Sequence, residues 1–383
     1  MYLVQIHRNR PTSLFVFHME NCLDSGTYST GMAERLYATV SDQLITATQR
    51  GDKWTVETAL HGKYPRAVVA DPKDPDLAFC GTTEDGLWRT TDGGETWSRI
   101  GEGIAHERIT AVSLDEAKGS EGQSGVWVGT EPTAIYYSKD DGKTWTEKPG
   151  LTDLRSEPDW SYPPRPETHH VRWIETDPND YERVYVSIEQ GAFVQSSDCG
   201  ETWNDRIPGS PRDAHTFALH ADAPGRIYAA DGLGFIFPGQ GYYESVDSGE
   251  TWGTPNDGLK HQYLWGLAVD PGDPDRVLVS AAESPEAAHV PKISESYIYR
   301  RDSDGAWTQC REGLPNAEET CVPVLTTNED EPGVFYALTD RGIFRSDDTG
   351  GTWDRLDIEW EEIASEFPGR RGPNVGPTGL SVV

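Results

Sequence analysis

Ser138-Lys139-Asp140-Asp141-Gly142-Lys143-Thr144-Trp145 is the stretch around which the rest of the chain is organised. Its pattern, Ser/Thr-x-Asp-x-Gly-x-Thr-Trp, returns at Thr90–Trp97, Ser196–Trp203, Ser245–Trp252 and Ser346–Trp353, with degraded copies at Asp302–Trp307 and Gly51–Trp54. A self-similar unit recurring roughly every 50 residues predicts a repeat architecture. Each copy follows a short apolar run, such as Gly86-Leu87-Trp88 or Ile135-Tyr136-Tyr137, and leads into another, so it reads as a hairpin turn. The Asp can accept bonds from turn N–H groups. The Gly suits a positive φ, and the Trp is an apolar anchor between repeats. Asp92, Asp140, Asp198, Asp247 and Asp348, with Trp97, Trp145, Trp203, Trp252 and Trp353, are therefore expected to be structural. A catalytic carboxylate has no need to occur once per repeat, and the EF-hand ligand pattern is absent.

A full unit reads as four strands. The first often ends in an Asp-Pro turn, as at Asp71-Pro72, Asp177-Pro178 and Asp270-Pro271. The N-terminal unit, Arg35 to Trp54, lacks that first strand, and Gly376 to Val383 looks like the missing one. This predicts an all-β, seven-bladed β-propeller of four-stranded antiparallel blades, its ring closed by the C-terminal strand joining the N-terminal blade. Blade-end tryptophans 54, 97, 145, 203, 252, 307 and 353 give the count. The single propeller is expected over 32–383. Residues 1–31 match no repeat and are expected to be a disordered extension or a misassigned start, with Met32 as the true one.

The 383 residues carry Asp+Glu 64 against Lys+Arg 33, a net charge of −31. Such self-repulsion opposes a compact state, and salt screens it. A salt-adapted cytoplasm of the haloarchaeal kind is the expectation, against an ordinary acidic mesophilic protein. The charge argues against nucleic acid, and no apolar run is long enough for a membrane helix. Cys22, Cys80, Cys199, Cys310 and Cys321 are odd in number and lack zinc-site spacing, so they read as reduced thiols, with a Cys310–Cys321 bridge as the other option. A cytoplasmic monomer without a cofactor is expected.

On these turns, residues 32–383 resemble the BNR or Asp-box propellers. The Asp-Pro turn combined with an Asp box in nearly every blade looks more like the oligoxyloglucan-hydrolase, sortilin and photosystem-assembly group than the sialidases. In the sialidases an Arg-Ile-Pro precedes the first box; here Arg206-Ile207-Pro208 follows one, and no Tyr–Glu nucleophile pair can be assigned.

In this topology the boxes lie on one face, and the loops entering the first strands surround the channel mouth on the other. Those loops bring Arg66, Arg108, His169, His170, Arg172, His215, His261 and Tyr263, with His289 from a neighbouring loop. Converging histidines can move protons or bind ligand, or simply hydrogen-bond the loops; a divalent metal would use His170, His215 and His261. The insertion carrying Trp160, Tyr162 and Arg165 reads as an aromatic-plus-Arg lip for a sugar or peptide, or as a loop pinned by its own aromatics. Arg66, Arg108 and Arg172 either grip an anion or pair with carboxylates. Should the protein be a glycoside hydrolase, Asp213, Glu189, Asp231 and Glu131 are the candidate carboxylates. The preferred expectation is a non-catalytic binding or assembly scaffold, its partner an unidentified protein or carbohydrate at the mouth. Glycoside hydrolysis and a histidine-based metal hydrolase or lyase are the alternatives.

Overall fold

The computed structural model describes residues 35–115, 123–360 and 376–383. The 1–31 extension and Cys22 lie outside them. Seven antiparallel sheets form a ring. The innermost strands are Pro377–Val382, Pro65–Asp71, Arg108–Asp115, His170–Asp177, Ala214–Leu219, Tyr263–Asp270 and Val324–Thr326, and each neighbours the next in a closed cycle. Pro377–Val382 pairs with Arg35–Val40, with Ala38 opposite Leu380, and this closes the first blade. Blades four and five keep three regular strands. Their outer edges shrink to the bridges Gln195–Asn204 and Glu244–Gly253. Pro208 and Pro255 follow closely and cannot donate to a ladder.

The repeated turn is the same object each time. Ser138 Oγ meets Asp140 Oδ1 at 2.8 Å and accepts from Gly142 N at 2.9 Å. Asp140 accepts from Thr144 N at 2.8 Å and Thr144 Oγ1 at 2.6 Å. The copy at Ser346–Trp353 repeats all four contacts at 2.9, 2.9, 2.8 and 2.9 Å. Asp141 and Gly142 adopt φ of 56° and 75°, the left-handed pair that such a tight hairpin requires.

Each blade-end tryptophan packs back onto the preceding blade. Trp97 meets Tyr37 edge-on at 6.2 Å and Trp252 meets Phe193 at 5.0 Å. Trp307 meets Tyr242 at 4.8 Å, and Trp54 packs against the last blade's Tyr336 cluster. Close approach between neighbouring blades is set by small residues: a Cβ on Gly129, on the second strand of the third blade, would lie 2.3 Å from Val171 Cγ1 on the inner strand of the fourth. Cys310 and Cys321 are unbridged, as are Cys80 and Cys199. No helix among the described residues is long and apolar enough to cross a membrane.

Candidate active site at the channel mouth

In five consecutive blades the inner strand slips register near its start. The residues passed over are Arg66, Thr110, Arg172, His215 and the Trp265-Gly266 pair. A bulge kinks the strand and re-aims a side chain. Repeated around the ring, it produces a collar of side chains at the mouth. Arg66, Thr110, His215 and Trp265 line a cavity of about 570 Å³ there, and Arg172 lies at the head of the channel beneath.

Inside the collar, Glu189 and Asp213 are buried together with His170 and His215. Arg172 Nε lies 3.3 Å from Glu189 Oε2, and His170 Nε2 lies 3.4 Å from the same oxygen. The Arg172 guanidinium also stacks over Trp265 at 4.5 Å. His215 donates Nδ1–H to the Leu264 carbonyl at 2.6 Å. Its Nε2 therefore faces the carboxylates, 3.8 Å from Asp213 Oδ2 and 4.0 Å from Glu189 Oε1. A Cβ on Gly232 would stand 2.4 Å from His215 and 2.6 Å from Asp213, so only glycine lets this loop lie against the pair.

The two carboxyls are driven apart in charge. Burial alone would raise Glu189; the contacts from His170, then His215 and Arg172, reverse this and hold it well below the usual range. Burial lowers the pKa of both histidines, His215 to about 4, so at neutral pH the partner that keeps Glu189 ionised is Arg172. Asp213 has no such partner. Burial, then the negative charge of Glu189, push it well above the carboxylate range, which favours its neutral, proton-donating form.

The structure sorts the remaining expected site residues. Asp231 sits fully buried in the same loop cluster, accepting from the backbone N–H of Arg212, Asp213 and Leu233 at 3.0, 2.8 and 2.8 Å. It holds the Asp213 loop rather than facing ligand. Glu131 is clamped by Arg165 at 2.8 and 2.5 Å, with Arg108 at 3.7 Å, so these three residues pin the insertion to the ring. Trp160 is not a lip: it is buried against Gly191, with its N–H on Ser156 Oγ. Tyr162 does reach the cavity, edge-on to His170 at 4.8 Å. His169 points away, bonded to Thr133 at 2.8 Å. His261 stacks on Tyr297 at 4.0 Å and bonds Tyr299, so it stands apart from the expected metal trio. Tyr263 and His289 join at 3.0 Å on the cavity wall. Glu189, Asp213 and His215 could present ligand atoms within 4.8 Å of one another to a metal, but the Arg172 cation on Glu189 opposes a divalent ion there.

Trp265, Thr110 and Phe235 also line the cavity, and inspection of loops does not find them. A signal exists nonetheless. Arg66, Thr110, Arg172 and Trp265 each stand the same number of positions before Asp71, Asp115, Asp177 and Asp270, the aspartates that end their strands, and His215 stands likewise before His220. Aligning the strands on those ends would have placed the collar.

No known family profile matches the chain. It is similar to a xyloglucanase from Paenibacillus sp, 26% identical over 278 residues, covering 60% of this chain and 25% of the relative. It is also similar to a xyloglucanase from Hypocrea jecorina, 22% identical over 291 residues, covering 67% and 33%. The chain thus spans a quarter to a third of these curated relatives. Among solved structures, a GH74 enzyme from Niastella koreensis superposes with a TM-score of 0.60 at 17% identity, over 83% of this chain and 54% of that one. YCF48 bound to D1 peptide gives 0.55 at 16% identity, over 86% and 87%. At such identities the structures establish the seven-bladed propeller alone. The curated relatives, named for polysaccharide hydrolysis, overturn the expectation of a non-catalytic scaffold and favour glycoside hydrolysis.

Proposed function

We propose that the propeller is a glycoside hydrolase whose catalytic pair is Asp213 and Glu189. One observation carries the reading: two carboxyl groups are buried side by side at one cavity, Glu189 ion-paired with Arg172 and Asp213 not, so that their pKa values are pushed in opposite directions. Such a split assigns acid and base roles. With oxygens within 4.8 Å, the pair is close to the spacing of about 5–5.5 Å that goes with retention, and short of the roughly 6.5–9.5 Å that admits a water for inversion. Asp213 protonates the glycosidic oxygen as its bond to the anomeric carbon breaks, and Glu189 bonds to that carbon. Water then attacks, Asp213 takes its proton, and Glu189 leaves. Tyr162, Tyr263 and Trp265 supply flat apolar walls for the sugar. The test is proton NMR of the first-formed product on a polysaccharide or aryl glycoside that the protein cleaves. Retained anomeric configuration, with D213N and E189Q each losing at least ~100-fold in kcat, supports the assignment. Inversion, or an active E189Q, overturns it.

We infer in addition that the turns make this an Asp-box propeller and that its charge of −31 fits it to high salt. Melting temperature is then expected to rise steadily as KCl is raised from millimolar to molar concentrations, well past the screening of exposed pairs. A flat profile contradicts the salt adaptation.

A further inference from the structure

Three of the arginines around the mouth are matched with a carboxylate. Arg108 and Arg165 are held by Glu131. Arg172 is held by Glu189, which His170 also faces. Arg66 is different. It is half-buried, lines both the mouth cavity and the channel, and has no carboxylate within ion-pairing distance among the described residues. Its charge is felt at Tyr162, His170, Arg172 and His289 around the cavity. In a chain with nearly twice as many acidic as basic residues, a cavity guanidinium with no described carboxylate in reach is suited to receive an anion. A second observation points the same way. His170 Nδ1 is buried with no hydrogen-bond partner, beside the cavity Arg66 lines.

The geometry points to an anionic sugar as the substrate, a glycoside with a hexuronic acid unit whose carboxylate is received by Arg66 while its ring lies along Tyr162, Tyr263 and Trp265. A planar carboxylate matches the forked guanidinium, and the aromatic wall suits the apolar face of a pyranose. This rests on the glycoside-hydrolase reading and narrows it, because the curated relatives are named for xyloglucan.

The experiment is calorimetric titration of the full chain in molar KCl with glucuronate, its uncharged methyl ester, glucose and acetate. Glucuronate is expected to bind at least ten-fold more tightly than the ester, a difference of about 1.4 kcal/mol. Arg66→Gln is expected to bring that ratio to near one, and Arg66→Lys to leave part of it, since a point charge replaces a fork. The wild-type comparison of acid with ester stands without any variant. Equal binding of acid and ester, or a preference that survives Arg66→Gln, overturns the proposal. Acetate binding as tightly as glucuronate overturns it too, by reducing the site to one for any small anion. Two patterns separate this inference from the reading beneath it. An acid preference without cleavage of either neutral or uronate-bearing glycans sinks the hydrolase and leaves the anionic ligand. Cleavage of neutral glycan without an acid preference sinks the anionic substrate alone.

Discussion

Replacing Glu189 and Asp213 in turn by their uncharged isosteres tests the charge states on which the site depends. Neither E189Q nor D213N changes side-chain volume, so packing is nearly constant and the difference is electrostatic. E189Q removes the anion 3.3 Å from the buried Arg172 guanidinium. At that distance, with an effective dielectric of about 20, the attraction is about 5 kcal/mol, and measured costs of orphaning a buried charge are about 3–5 kcal/mol. D213N replaces a carboxyl whose neutral form is favoured by burial and by Glu189, so it should cost at most about 1 kcal/mol. Urea unfolding followed by tryptophan fluorescence in molar KCl reads the difference directly. Salt will not mask it, because buried pairs are weakly screened. The expected order is wild type close to D213N, with E189Q about 3–5 kcal/mol less stable. If D213N falls as far as E189Q, Asp213 is ionised and the acid assignment fails. The pH profile gives the same test with its own sign. The folded-state pKa of Asp213 is raised, so its share of stability is greatest below about pH 4, the unfolded value, and declines as pH rises toward the folded one. D213N should remove that decline.

His215 works in the opposite direction. Its folded pKa is lowered to about 4, so its contribution is complete above about pH 6.5 and is lost as pH falls toward 4; H215Q should flatten that acid limb in pH-resolved melting curves. Gly232→Ala would drive a methyl into His215 and Asp213, and kcat should drop at least about ten-fold with the fold intact by circular dichroism; unchanged kcat would mean the pair is not the reacting one. Gly129→Ala should cost about 1–3 kcal/mol by overpacking against Val171, and adding Val171→Ala should recover part of that, whereas additive losses would refute the contact.

The fold was legible because its determinants are local. Ser138, Asp140, Gly142 and Thr144 satisfy one another within a single turn, so a pattern of eight residues carries the whole device and repeats visibly. Trp145 and its counterparts announce the blade count for the same reason. Ring closure was legible from what the first unit lacked. The site was legible only as a neighbourhood. Arg172, His215 and Glu189 could be placed at the mouth, but so could His169, His261 and Trp160, which turn away from it. A one-residue bulge decides which way a strand side chain points, and no residue type announces it.

Charge state was beyond the sequence altogether. Glu189 and Asp213 are both ordinary acids in the chain. What separates them is that Arg172, from the neighbouring strand of the same blade, is ion-paired with Glu189 and acts on Asp213 only at longer range, while both are withdrawn from water. Likewise Arg66 and Arg165 read alike until folding brings Glu131 to Arg165 and no described carboxylate to Arg66. Local hydrogen bonding wrote the propeller into the sequence; the pairing of charges within and between blades, which depends on distances of a few ångströms between residues of different strands and loops, was decided only by the tertiary structure.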